Sequence, residues 1–223
     1  MSAYEFRECS AANCRFRYPV LVTAQQTQNC PYCGSETRQV SVPLPSENLG
    51  TTAASTLLST NVTTPINSPP LSALLDNIRS IHNVGSMFRT ADGAGLAHLY
   101  LCGMTATPDH PKLAKAALGA DKTVGWSYAR NALETAVTLK KAGNQLWAIE
   151  TIPTAEPLFD VMPLLLTKPA VLVVGNEKAG VDPGILAHCD RVLSLPMSGH
   201  KQSLNAAVAF GIAVYHLSFQ LSS

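Results

Sequence analysis

Hydrophobic positions fall along the chain in short runs separated by amphipathic stretches. Residues 170–174 read Ala-Val-Leu-Val-Val without a polar position, the run expected of a strand buried on both faces of a parallel sheet. Residues 71–78, 98–102, 146–150 and 192–195 are further runs read as strands, the last stopped by Pro196. Between them lie helical stretches. Residues 84–94 are ended by Gly93 and Gly95, 111–118 have Pro111 near their start, and 131–142 are capped by Asn131 and stopped by Gly143. Asp182 and Pro183 open a short helix. Strands alternating with helices predict an α/β domain over residues 71–223, a parallel sheet with helices on both sides. Residues 206–217 depart from amphipathicity, being apolar almost all round. A helix without a polar stripe must be buried. The surface of one chain gives it little shelter, so a second subunit is expected against it.

Residues 41–70 change character: Ser, Thr, Pro and Asn dominate and Glu47 is the only charge. Such a segment cannot bury enough apolar surface to fold by itself, and its prolines extend it. It is read as a flexible linker between an N-terminal module, residues 1–40, and the α/β domain. It serves either as a mobile arm for that module or as a plain domain boundary.

Composition narrows the class. A chain of 223 residues, 46% hydrophobic, suits one domain and an appendage. A net charge of +1 provides no global basic field, so a nucleic-acid partner would have to be held by a local patch. No apolar run approaches the ~18 residues of a membrane span, and no basic-then-apolar leader opens the sequence. A soluble cytoplasmic protein without a membrane partner is expected.

Four of the six cysteines cluster in the N-terminal module. Cys9 and Cys14 are separated by four residues, and Cys30 and Cys33 by two, with Gly34 letting the second turn close. Two close pairs across a short hairpin are what tetrahedral structural zinc requires, and a reducing compartment follows. So small a module would draw its folding energy from the metal. Arg7, Arg15, Arg17 and Arg38 lie beside Phe6, Phe16, Tyr18 and Tyr32. This composition suits either a surface that grips and stacks on RNA or a structural knob, and both readings stay open.

Ligands of parallel sheets bind at the carboxyl ends of the strands. That rule selects the loops after Cys102, Glu150, Val174 and Leu195. The Gly-x-Gly-x-x-Gly fingerprint of nicotinamide enzymes is missing after the first strand. Three polar sets lie near these ends. Asn83 precedes a helix carrying Arg89, six residues on and therefore on a different face. Gly175-Asn176-Glu177, with Gly180, follows the buried strand, where glycine lets backbone approach a ligand. Ser203-Leu204-Asn205 leads into the apolar helix, where Ser203 reads most simply as a cap.

Taken in order, these sets resemble the three motifs of the SpoU-type (TrmH-like) RNA ribose 2'-O-methyltransferases of the SPOUT superfamily. Residues 83–89 are similar to the first motif, 173–177 with Gly180 to the second, and Leu195-Pro196-Met197 with Gly199 and 203–205 to the third. Ala206-Ala207-Val208 stands where the family usually has valine-serine-valine. The match covers residues 71–223 and leaves the cysteine module outside. It implies an α/β SPOUT fold with a C-terminal trefoil knot, S-adenosylmethionine on the knotted loops, and a homodimer through the knot helices. It also implies methyl transfer to a ribose 2'-OH of tRNA or rRNA. Arg89 becomes the key catalytic residue, Asn83, Ser203 and Asn205 orient it and the ribose, and Glu177 fixes Arg89 or the loop. Backbone of Gly175, Leu195 and Leu204 would hold the adenosine. Asn176 and Gly180 would join them in binding the cofactor, and Met197 with the loops at Gly103 and Glu150 would wall the pocket. Competing readings are a non-catalytic zinc-ribbon RNA-binding protein and a methyltransferase acting on a base nitrogen.

Overall fold

The computed structural model describes residues 3–22, 29–45, 62–63, 71–161 and 168–221. Its strands are β1 (Ala3–Cys9), β2 (Arg17–Leu21), β3 (Thr37–Gln39), β4 (Leu44–Pro45), β5 (Val62–Thr63), β6 (Leu71–Asp76), β7 (Leu99–Cys102), β8 (Trp126–Ala129), β9 (Gln145–Ile149), β10 (Glu156–Pro157), β11 (Ala170–Val174), β12 (Arg191–Ser194) and β13 (Gln220–Leu221). The helices are α1 (Ile81–Ala94), α2 (Pro111–Ala117), α3 (Ala132–Lys141), α4 (Pro183–Leu186) and α5 (Ala206–Ser218). Most of the linker expected over residues 41–70 lies outside the described residues. Its short β5 pairs antiparallel with β13.

The parallel sheet is present and larger than the apolar runs implied. Seven strands run in the order β10-β12-β9-β11-β6-β7-β8, all parallel. β11 lies at the centre and is buried throughout. Ala170, Leu172 and Val174 pack into the core under α1 and α5, and Val171 and Val173 into the core under α3 and α4. β8 was not legible in the sequence because Trp-Ser-Tyr-Ala is half exposed at the sheet edge and forms no apolar run.

Two element boundaries differ from expectation by more than one residue. β6 stops at Asp76 rather than residue 78, because Asn77 turns into the left-handed region at φ 58°. α1 begins at Ile81, three residues early, with Ser80 as its cap accepting the Asn83 N–H. Asn83 therefore lies in the first turn of the helix and not in a loop before it. α5 is buried on one side only. Phe210, Ala213, Val214 and Leu217 enter the core, whereas Val208 and Tyr215 are 49% and 47% exposed. Tyr215 stacks on Phe219 at 5.2 Å. The outer face is what the expected second subunit would cover.

The N-terminal module is an antiparallel sheet with β1 between β2 and β3 and β4 also paired to β1. It packs against the α/β domain through a buried ion pair. The Arg17 guanidinium donates to both carboxylate oxygens of Asp182, from Nε and, at 2.8 Å, from Nη2. Both side chains are almost wholly enclosed, and removing one partner of such a pair costs about 3–5 kcal/mol. Arg130 stacks on Tyr32, 4.2 Å from the ring centre, and Arg15 bridges Glu8 and Glu134. The module is thus docked on the domain.

Candidate functional site

At the carboxyl ends of β9, β11 and β12 the loops enclose a cavity of about 390 Å³. Ile149, Val174, Leu186, Leu195 and Ala209 supply apolar walls, and Glu150, Thr151, Gln202 and Ser203 supply polar groups. That volume and balance suit a small-molecule ligand. Of the residues singled out in the sequence, Glu150, Gly175, Asn176, Glu177, Gly180, Leu195, Met197, Ser203, Leu204 and Asn205 line it.

The three motifs are joined by hydrogen bonds across more than 90 residues of sequence. Glu177 accepts from the Arg79 and Ser80 N–H groups at 2.9 and 3.0 Å, and from Asn83 Nδ2 at 2.9 Å. Asn83 Oδ1 accepts in turn from Asn205 Nδ2 at 3.1 Å. A carboxylate at a helix start is favoured by the open N–H groups there. Burial opposes ionisation of Glu177, but these donors outweigh it and hold its carboxyl below the usual range. Asn205, not Ser203, caps α5: its Oδ1 accepts the Ala207 and Val208 N–H groups. Ser203 is exposed to the cavity and makes no hydrogen bond to the described residues.

The second motif is a tight backbone turn. Asn176 and Gly180 exchange backbone hydrogen bonds of 3.0 and 2.8 Å, and Asn176 Oδ1 accepts the Lys178 and Ala179 N–H groups. A Cβ on Gly175 would lie 2.2 Å from the Val181 nitrogen, so only glycine fits there. Gly180 has φ +73° and packs on Glu150, whose Oε2 accepts the Val181 N–H at 2.7 Å. Glu150 thus holds the loop as well as walling the cavity.

Two expected residues lie elsewhere. Gly103 follows β7, two strands from β11, and does not line the cavity. It has φ +63°, and a Cβ there would meet Asn77 Oδ1 at 2.1 Å, so it makes room for the Asn77 amide. Arg89 is exposed in α1, six residues and about 9 Å along the axis from Asn83, and is absent from the cavity lining. Among the described residues of one chain, the cavity lining thus contains no arginine.

Sequence reasoning missed the residues that hold the motif loops from behind. Asp76 accepts from Asn77 Nδ2 at 2.6 Å and from the Asp182 N–H. Full burial, with the Asp182 charge beside it, pushes the Asp76 carboxyl up to about 7. Thr105 braces the same turn through the Leu75 carbonyl and the Ile78 N–H. None carries a motif signal.

In the N-terminal module the sulfurs of Cys9, Cys14, Cys30 and Cys33 lie within 4.8 Å of one another. Cys9 and Cys33 are 3.5 Å apart and Cys14 and Cys30 3.9 Å. A tetrahedral site with metal–sulfur bonds of about 2.3 Å has sulfurs about 3.8 Å apart, so the four fit one metal ion. The nearby arginines are engaged by carboxylates. Arg7 binds Glu5, Arg17 binds Glu8 and Asp182, and Arg15 and Arg38 bind Glu8. Phe6, Phe16 and Tyr18 are buried. This arrangement matches a structural knob more closely than a phosphate grip.

Comparison with known proteins agrees with the site. The model of the SpoU rRNA Methylase family matches residues 70–215. The 23S rRNA (guanosine-2'-O-)-methyltransferase RlmB of Pseudomonas putida is 33% identical over 147 residues, 66% of this chain and 58% of the relative. The chain thus spans less than two thirds of the length of that relative. Among solved structures, an AdoMet-bound rRNA methyltransferase from Sinorhizobium meliloti aligns with TM-score 0.62 at 27% identity, over 68% of this chain and 56% of that one. The A. aeolicus TrmH/SpoU tRNA modifying enzyme aligns with TM-score 0.59 at 33% identity, over 66% and 73%. Motif order, sheet topology and these matches together place the chain in the SpoU rRNA Methylase family.

Proposed function

We propose that the chain is an S-adenosylmethionine-dependent RNA methyltransferase that modifies a ribose 2'-OH. The observation that carries this is the cavity at the ends of β9, β11 and β12, with its rim closed by the Glu177–Asn83–Asn205 hydrogen bonds. The Sinorhizobium meliloti relative is described as AdoMet-bound, and the cavity here has the size and mixed lining such a ligand needs. S-adenosylmethionine would supply an electrophilic methyl group.

The chain's own residues have three tasks. Backbone of Gly175, Leu195 and Leu204 holds the adenosine, with Met197 and Glu150 beside it. Asn83 and Asn205 fix each other, and Ser203 offers a free hydroxyl to the incoming ribose. Arg89 stabilises the ribose oxygen as its proton passes to water or an RNA phosphate. A guanidinium with a fixed charge and a fork of donors suits that task.

Arg89 must come from outside the chain's own cavity. The half-exposed apolar face of α5, packed beside α1, supports a homodimer that brings Arg89 of one subunit to the cavity of the other. The trefoil knot belongs to the same proposal: β12 inserts between β9 and β10 before the chain passes to α5. The four cysteines would hold structural zinc. The substrate class is rRNA or tRNA, the classes named for the Pseudomonas putida and A. aeolicus relatives. Transfer of labelled methyl from S-adenosylmethionine to RNA, isolated from a strain lacking the chain, tests the proposal. Failure to label either RNA class contradicts it.

A further inference from the structure

Arg17 comes from the N-terminal module, yet it touches the loop after β11 that walls the cavity and the turn after β6 that braces that loop. Its guanidinium holds Asp182, which lies directly between Val181 and Pro183, two residues of the cavity wall. Its backbone carbonyl accepts from Asn77 Nδ2 at 3.3 Å. The Asn77 carbonyl accepts from Asn176 Nδ2 at 2.7 Å, and Asn176 organises the turn from 176 to 180 through its own Oδ1. Gly103 is needed so that the Asn77 amide can lie where it does. Two routes therefore run from one ribbon residue into the second motif, one through Asp182 and one through Asn77 and Asn176. Asp182 also caps α4 through the Gly184 N–H, and its own N–H is held by Asp76.

We infer that Arg17 is a positioning residue for the methyl-donor loop, so that the cysteine module acts as a strut of the donor site. It stands three residues after Cys14, and Phe16 between them accepts the Cys9 N–H at 2.9 Å. The four-cysteine fold thus sets where the guanidinium points. Arg17 can do little else: both its ends are occupied, and its side chain is sealed from solvent. The affinity arm of the test below rests on the donor-site reading, and the exchange arm does not.

The test compares Arg17→Gln, Asp182→Asn and the double variant in the full chain. Asp182→Asn keeps an oxygen for the α4 cap and guards against Arg17→Gln failing to fold. The first arm titrates S-adenosylmethionine by calorimetry. Each single variant is expected to lose about tenfold in affinity, and the double variant little more, because both act through one contact. Affinity within twofold of wild type in Asp182→Asn, or losses that multiply in the double variant, would overturn the inference. The second arm measures amide hydrogen exchange without any ligand. The Lys178, Ala179 and Gly180 amides are expected to exchange at least tenfold faster in Asp182→Asn, while Val171 to Val173 keep their protection. Unchanged exchange in that turn overturns the coupling. If wild type fails to bind the donor, the functional reading falls and the exchange arm alone decides.

Discussion

Glu177 is the residue on which the three motifs converge, and replacing it by Gln isolates its charge. The carboxylate accepts three hydrogen bonds in the structure. In Glu177→Gln the carbonyl can keep the two bonds made by Oε1, from Ser80 and Asn83. The new NH2 faces the Arg79 N–H and loses the third. A hydrogen bond to a charged group contributes about 1.5–3 kcal/mol, and a negative charge at a helix start about 0.3–1 kcal/mol. Arg79 is exposed, so water recovers part of the loss. A net cost of about 2 kcal/mol is expected, rising to about 3 kcal/mol in Glu177→Ala. Denaturant unfolding measures it, and pH supplies the control. The folded carboxyl ionises below its ordinary value. Its contribution is therefore complete above the unfolded value and is lost as pH falls through the folded one. The stability gap between wild type and Glu177→Gln should be widest near neutrality and close in acid. A variant as stable as wild type at pH 7, or a gap indifferent to pH, would refute the reasoning.

Four further outcomes are expected. Arg89→Ala should lower methyl transfer at least about 10²-fold while donor affinity by calorimetry stays close to wild type. Gly175→Ala should weaken donor binding more than about tenfold, because its Cβ would meet only backbone, at 2.2 and 2.3 Å. Tyr215→Asp combined with Val208→Asp should shift the protein to a monomer in analytical ultracentrifugation and abolish transfer, since each places a charge on the half-exposed face of α5. Metal analysis should find zinc in wild type and none in Cys30→Ser, and that variant should also bind the donor more weakly through Arg17.

What the sequence revealed depended on how local each determinant is. The central strand and the second motif are contiguous, and so are the helix signals around α3. Leu195 to Asn205 forms one stretch, and the cavity lies where strand-end reasoning puts it. Asn83 was misplaced because the true helix start depends on Asn77 adopting a left-handed turn and on Glu177 capping from 94 residues away. Gly103 was misread because the strand-end rule does not supply sheet order, and two strands separate its loop from β11. The Arg17–Asp182 pair spans 165 residues. Neither side chain carries a local pattern that distinguishes it from an ordinary arginine or helix cap, so only the fold brings them together.

A methyl group placed on a ribose oxygen leaves a chemical signature in the RNA. Alkaline hydrolysis of RNA requires a free 2'-OH as internal nucleophile, so a 2'-O-methylated position survives as a resistant dinucleotide. RNA labelled by the purified chain and digested in alkali should yield its label in such dinucleotides, with none on the bases and none from the Arg89→Ala variant. Label recovered in ordinary mononucleotides, on a base nitrogen, or undiminished in Arg89→Ala would contradict the account.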